Sequence, residues 1–209
     1  MRVAGVDGTK GGWVAVVLDD GRFSRDELIS GIHDDFEALK DAEVVAIDIP
    51  IGFGPRRADG AARSFLKGAA STVFTTPSRE VLEIPFGPGL GVSAQSHALG
   101  QRIIHVTELA QRDPRVYEVH PEVCFRAMNG GVPLRYRKKS AGGALERVAL
   151  LADAGIHLER VSASAMAPLD DVLDAAAGAW SAARISAGEA RTLPEMPDEI
   201  DGRQIAIWY

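Results

Sequence analysis

Apolar residues run almost unbroken from Val3 to Val6 and from Trp13 to Leu18, with Asp7-Gly8-Thr9-Lys10-Gly11-Gly12 between them. Short β-branched runs of this kind predict strands buried on both faces. The glycines supply the backbone freedom of the tight turn that joins them. Asp19-Asp20-Gly21 is a hairpin signal, so a third strand is expected from about Arg22 to Ser30. Asp34-Asp35 stands where a helix cap belongs, and Phe36 and Leu39 follow at helical spacing, which predicts a helix to about Ala42. Val44 to Gly52 then reads as another buried strand with Asp48 inside it. A strand, helix, strand passage of this length predicts a crossover that lays the new strand parallel to the first.

The periodicity is less regular from Phe53 to about Arg115. Ala58 to Lys67 reads as a helix, with Ala62, Phe65 and Leu66 on one side, and Ser96 to Gln111 as another, with Leu99, Ile103 and Val106 apolar. A Gly- and Pro-rich loop over Pro85–Gly91 separates them. The whole stretch is expected to be an insertion between two strands, a common place for specificity. Val116 to His120 alternates as a strand does, and an apolar Val123-Cys124-Phe125 follows Pro121-Glu122. The basic loop Arg135 to Lys139 precedes a helix from about Gly142 to Ala154. Leu169-Asp170-Asp171 opens a long Ala-rich helix that Gly188 ends, and Ile205 to Trp208 is a last strand or a docked tail. No internal repeat or linker divides the 209 residues, so a single domain is expected.

Composition adds three constraints. Hydrophobic residues make up 46% and charged residues 25%, the balance of an ordinary globular chain. Cys124 has no second cysteine to pair with, and no apolar run is long enough to span a bilayer. With strand 1 beginning at once and no signal-peptide pattern, a cytoplasmic protein without membrane contact is expected. The net charge of −6 argues against a non-specific nucleic-acid coat, while leaving room for local phosphate contacts beside an acidic pocket.

Three acids stand out by position. Asp7 ends strand 1, and Asp48 lies in what should be the neighbouring parallel strand. Asp171 and Asp174 are three apart on the Ala-rich helix and share a face, as do Asp170 and Asp174 at four apart. An unpaired buried carboxylate costs several kcal/mol, roughly, so such a gathering is tolerable mainly around a divalent cation. Oxygen-only ligands favour Mg²⁺ or Mn²⁺ over Zn²⁺. The competing reading is structural: Asp7 as a turn residue before Gly8, and Asp170 or Asp171 as the cap of its helix.

Gly5-Val6-Asp7-Gly8-Thr9, the three-strand opening, Asp48 after the crossover and Asp171-Val172-Leu173-Asp174-Ala175 together resemble the ribonuclease H-like superfamily, the last motif being similar to Holliday-junction resolvases. More closely, the chain resembles domain-of-unknown-function family 429, described as predicted ribonuclease H-like nucleases. Ala46-Ile47-Asp48-Ile49-Pro50-Ile51-Gly52, Ser71-Thr72-Val73-Phe74, Pro77-Ser78-Arg79 and Glu118-Val119-His120-Pro121-Glu122 carry that likeness over nearly the whole chain. It implies an α/β fold: a mixed five-stranded sheet of order 3-2-1-4-5, helices on both faces, and a helical insertion over about 53–115. It also implies that Asp7, Asp48 and one of Asp171 or Asp174 hold two Mg²⁺ (or Mn²⁺) ions, with Glu118 or Glu122 as a further ligand, for hydrolysis of nucleic-acid phosphodiesters.

For substrate contacts the candidates are Lys10 in the Gly-rich turn, Arg79, Arg56-Arg57, His120, and Arg135 to Lys139 including Lys138, with Tyr136 available for stacking. His120 is a candidate base or ligand, and Glu118, two residues earlier, is expected on the same side of the sheet. Cys124 reads as a small core residue. Two other classes compete with a nuclease. One is a non-catalytic binding module, with homodimerisation through the Ala-rich helix or the insertion. The other is a small-molecule phosphohydrolase or phosphotransferase. Gly-Val-Asp-Gly-Thr also opens actin-like sugar kinases, but these need two such lobes and one is present here.

Overall fold

A computed structural model describes residues 1–158, 160–200 and 202–209. Three strands open the chain as antiparallel neighbours: β1 (Arg2–Thr9), β2 (Gly12–Asp19) and β3 (Arg22–Ser30). The β2–β3 turn uses Asp20 and Gly21 at φ 48° and 76°, the double left-handed geometry that matches strand twist. β4 (Val44–Ile47) and β5 (Val116–Glu118) then add in parallel on the other side of β1. The order β3-β2-β1-β4-β5 is the one implied by the ribonuclease H-like resemblance.

Between β4 and β5 lie α1 (Arg57–Leu66), α2 (Arg79–Leu82), α3 (Ala94–Ala98) and α4 (Gly100–Arg112). After β5 come α5 (Pro121–Met128), α6 (Ala141–Asp153) and α7 (Leu169–Ser186). The chain closes with an antiparallel pair, β6 (Thr192–Ile200) and β7 (Arg203–Trp208). No helix among the described residues is long and apolar enough to cross a membrane.

Several local expectations change. The helix expected after Asp34-Asp35 is only a 3₁₀ turn, Glu37–Leu39. Asp34 Oδ1 accepts from Phe36 N (2.6 Å), and Phe36 sits at φ 58°, so a local side-chain turn wins over helix propagation. The helix expected over Ser96–Gln111 divides at Leu99 into α3 and α4, with Gly100 tight against Leu82. Strand β5 stops at Glu118, because Pro121 occupies the first turn of α5. Ile205–Trp208 is a last strand, as expected, forming most of β7; its partner is the Pro-containing β6, and Trp208 also bridges to Val119 just beyond β5.

Alternation sorts each central strand between two cores. Ala4, Val6, Ala15, Val17, Val45 and Ile47 face α4. Val3, Val14, Val16, Val44 and Ala46 face α7. α7 is rich in Ala because it lies directly on the sheet. A Cβ on Gly5 would stand 2.0 Å from Ala179 N, and one on Gly178 would stand 3.3 Å from both Ala46 O and Gly5 Cα. Two glycines therefore set backbone against backbone and fix the register of helix on sheet.

Candidate active site

That register places the acids. Asp7 is two residues beyond Gly5 on β1 and so leaves the sheet on the same face. Asp174 is one turn before Gly178 on α7, so it points down toward the same strand end. Gly5 pairs with Ala46 and Val6 with Ile47; the next step of this parallel register sets Asp48 beside Asp7. Asp48 lies just past the last residue of β4, and its N–H still donates to Val6 O (2.9 Å). Asp7, Asp48 and Asp174 all line one cavity of about 360 Å³ at this end of the sheet.

Asp7 is 8% exposed and Asp174 2%. Burial, then the Asp48 and Asp174 carboxylates, push Asp7 well above its usual range. Burial likewise raises Asp48 to about 7, with Glu118 and Glu122 adding to it and Lys138 opposing. Asp174 also rises to about 7 through burial and Asp48, again against Lys138. The Lys138 ammonium is hydrogen-bonded to Asp174 Oδ2. Burial works against its charge, and Asp174, Asp48 and Asp7 together outweigh that and hold it protonated. Gly8 N–H fixes Asp7 Oδ1 at 2.7 Å.

Asp174 Oδ1, by contrast, is buried with no partner. An orphaned anionic oxygen beside two more carboxylates suits a hard cation with oxygen ligands. Among the described residues, no group of three or more His, Cys, Asp or Glu converges closely enough to hold an ion. The lysine supplies the positive charge in this arrangement.

The opposite wall differs from expectation. Glu118 pairs with Ile47 in the parallel register, not with Asp48, so it leaves the sheet on the other face. There both of its oxygens accept from Arg56 (2.6 and 2.8 Å), and Oε2 also accepts from Ile51 N (2.7 Å). Arg56 completes a buried triad with Asp59 (2.5 Å). Glu118 is thus the counter-ion of Arg56, and Arg56 is not free for phosphate. Glu122 lines the acid cavity but accepts from Arg147 (2.5 Å).

His120 also lines the cavity; its Nε2 meets Thr72 O at 3.4 Å, and burial lowers its pKa. A carbonyl partner puts the proton on Nε2 and leaves Nδ1, buried and unpartnered, as the acceptor.

Other expected contacts lie elsewhere. Lys10 is exposed on the β1–β2 turn and absent from the cavity wall. Arg79 is ion-paired with Glu83 (2.8 Å) and Glu108 (3.1 Å), and Arg57 with Asp198 (2.7 Å). Asp171 does not line the cavity; burial raises its pKa and a hydrogen bond from the Thr9 side chain opposes this. Neither Asp170 nor Asp171 caps α7, whose cap position is Pro168. Cys124 is buried against Ser181 Oγ (3.1 Å), and burial pushes its thiol up to about 12.

Sequence reasoning missed Arg102. It lines the cavity and donates to Thr9 O (2.7 Å) and Gly12 O (3.2 Å) across the opening turn. Its guanidinium lies over Trp13, and its buried Nε has no partner. An arginine on a helix 90 residues from its turn carries no local signal.

A family model described as "Protein of unknown function (DUF429)" matches residues 5–199. The chain belongs to DUF429. No curated protein matches this DUF429 chain. The solved structure of Thermus thermophilus RuvC is similar to it at 16% identity and a TM-score of 0.47, covering 90% of this DUF429 chain and 98% of that one.

Proposed function

We propose that this DUF429 protein is a divalent-cation-dependent phosphodiester hydrolase of the nuclease class, with Asp7, Asp48 and Asp174 as cation ligands and Asp171 near the rim. The observation that carries the reading is that three carboxylates, from β1, the end of β4 and α7, line one cavity; holding a cation there requires Lys138 to leave Asp174 and the three acids to draw closer than they stand. Their raised pKa values mean that the gathering costs stability near neutral pH, which is the mark of a site kept for chemistry.

Mg²⁺ or Mn²⁺, when bound, supplies Lewis-acid polarisation of a phosphoryl oxygen and acidifies water. The chain's own groups do the rest. Lys138, once released from Asp174, is a cation for a phosphate oxygen. Arg102 braces the β1–β2 turn just beyond Gly8 and brings an unused Nε–H to the cavity wall. His120, kept neutral by burial, can take a proton at Nδ1. The Lys138–Asp174 bond favours one other reading, a non-catalytic module whose positive charge is already built in.

The test uses the full chain with labelled DNA, labelled RNA and bis(p-nitrophenyl) phosphate, with Mn²⁺ and with EDTA. Cleavage that needs Mn²⁺ and falls at least about 100-fold in Asp7→Asn and Asp174→Asn is expected, the scale of losing a main electrostatic element. No cleavage of any substrate together with no Mn²⁺ binding by calorimetry would leave the module reading in its place.

A further inference from the structure

A second cavity, of about 450 Å³, adjoins the first and shares Thr72, Glu122 and Lys138 with it. Its charged lining is Arg126, Arg135, Arg137, Lys138 and Arg147 against Glu122 alone. On a chain of net charge −6 this is a local inversion of sign. Glu122 is already bonded to Arg147.

Arg126 is only 8% exposed; its Nε donates to Gly131 O (2.8 Å) and its Nη1 to Leu66 O (2.7 Å). Among the described residues it forms no ion pair; the two carbonyls and the Phe65 ring, 5.4 Å from its guanidinium, partly offset the burial of its charge, and an anion would offset the rest. Arg147, 2% exposed, adds a buried Nε with no partner.

The loop carrying Arg135 and Arg137 is clamped. Glu146 accepts from Arg135 N (2.9 Å) and Tyr136 N (3.1 Å). Arg137 O lies over Gly143, where a Cβ would stand 2.0 Å away, and Ser140 Oγ caps α6 through Gly143 N (3.0 Å). Gly142 packs on the Tyr136 ring, and Arg135 lies over that ring at 5.3 Å. Tyr136 therefore helps to hold the loop while remaining 47% exposed. The exposed guanidiniums of Arg135 and Arg137 project from a backbone already ordered, which lowers the cost of binding.

We propose that this second cavity is a phosphate-binding groove for single-stranded nucleic acid, seating the backbone phosphates next to the one at the carboxylates, with Lys138 on the shared wall. The proposal rests on the hydrolase reading for its substrate class. A recessed basic groove beside a catalytic cavity suits one polyanionic backbone, whereas a free phosphate would use neither the second cavity nor five cations.

The experiment measures anisotropy of labelled oligothymidylate and oligouridylate on the full chain in EDTA, across a salt series. The variant is Arg135→Gln/Arg137→Gln, at exposed positions outside the acid cavity, and the control is Arg22→Gln/Lys40→Gln. Each lost contact to a single strand should flatten the log K against log salt slope by about 0.7. The double variant should therefore lose about 1.4 in slope and bind about 25-fold more weakly at about 0.1 M salt, with the control within twofold of wild type.

An unchanged slope, no binding by wild type, or inorganic phosphate binding as tightly as the oligonucleotides overturns the groove. Bis(p-nitrophenyl) phosphate separates the two readings. Its Mn²⁺-dependent hydrolysis without oligonucleotide binding sinks the groove and keeps the hydrolase; the slope change without any hydrolysis does the reverse.

Discussion

Replacing Asp48 by Asn should make the protein more stable, by an amount that is absent at pH 4, grows from there and levels off above about pH 7. Asp48 is raised from 3.8 to about 7 in the fold. Between these values the native state binds more protons than the unfolded chain, so stability falls as pH climbs from about 4 to about 7 and stays reduced above. At 1.36 kcal/mol per pH unit the ceiling is about 4 kcal/mol. Asn must still bury an amide, and Lys138 loses one attraction, which together bring the expected gain to about 2 kcal/mol at pH 8. For a chain of 209 residues that is about 4–8 °C in Tm. Urea titrations of wild type and Asp48→Asn at pH 4 and pH 8 measure it. Saturating Mn²⁺ at pH 8 should raise the wild-type midpoint and leave the variant nearly unmoved. A variant less stable than wild type at pH 8, or a gain of equal size at pH 4, would refute the reasoning.

Two further substitutions probe the frame around the site. Gly5→Ala should cost about 3 kcal/mol or more in urea, because its Cβ meets immovable helix backbone at 2.0 Å, whereas Gly178→Ala, with contacts no closer than 3.3 Å, should cost clearly less. Arg56→Met should cost about 3–5 kcal/mol at pH 7 by leaving Glu118 and Asp59 buried without their cation; a loss under about 1 kcal/mol would show the triad to be dispensable.

The central sheet was legible because its signals are local: unbroken β-branched runs, Asp20-Gly21 at a hairpin, and an acid where no apolar strand should hold one. The same signal singled out Asp7 and Asp48; Asp174, on a helix, stood out only by its spacing from Asp170 and Asp171 and by the resemblance, and all three line one cavity. Glu118 could not be placed in advance, because alternation within β5 says nothing about which face the strand presents; it lines the same cavity, but its pairing with Ile47 turns it toward Arg56. The short helix α5 did carry a signal, Pro121 ahead of an apolar run, which strand-like Val123-Cys124-Phe125 obscured. Arg56, Arg102 and Arg147 could not be assigned, since their roles come from partners as much as 93 residues away. Net charge concealed the basic cavity too, because an average over 209 residues hides a cluster of five.

The contact between Gly5 and Gly178 leaves no layer of side chains to compress between α7 and the sheet. Two of the three acids are in effect mounted on a single rigid casting, and neither can drift without driving main chain into main chain. Lys138 comes from a loop instead. That loop's backbone is itself clamped, so any adjustment that the site makes as its cargo arrives or departs falls to the long lysine side chain, and the molecule separates a fixed anvil from a movable tool.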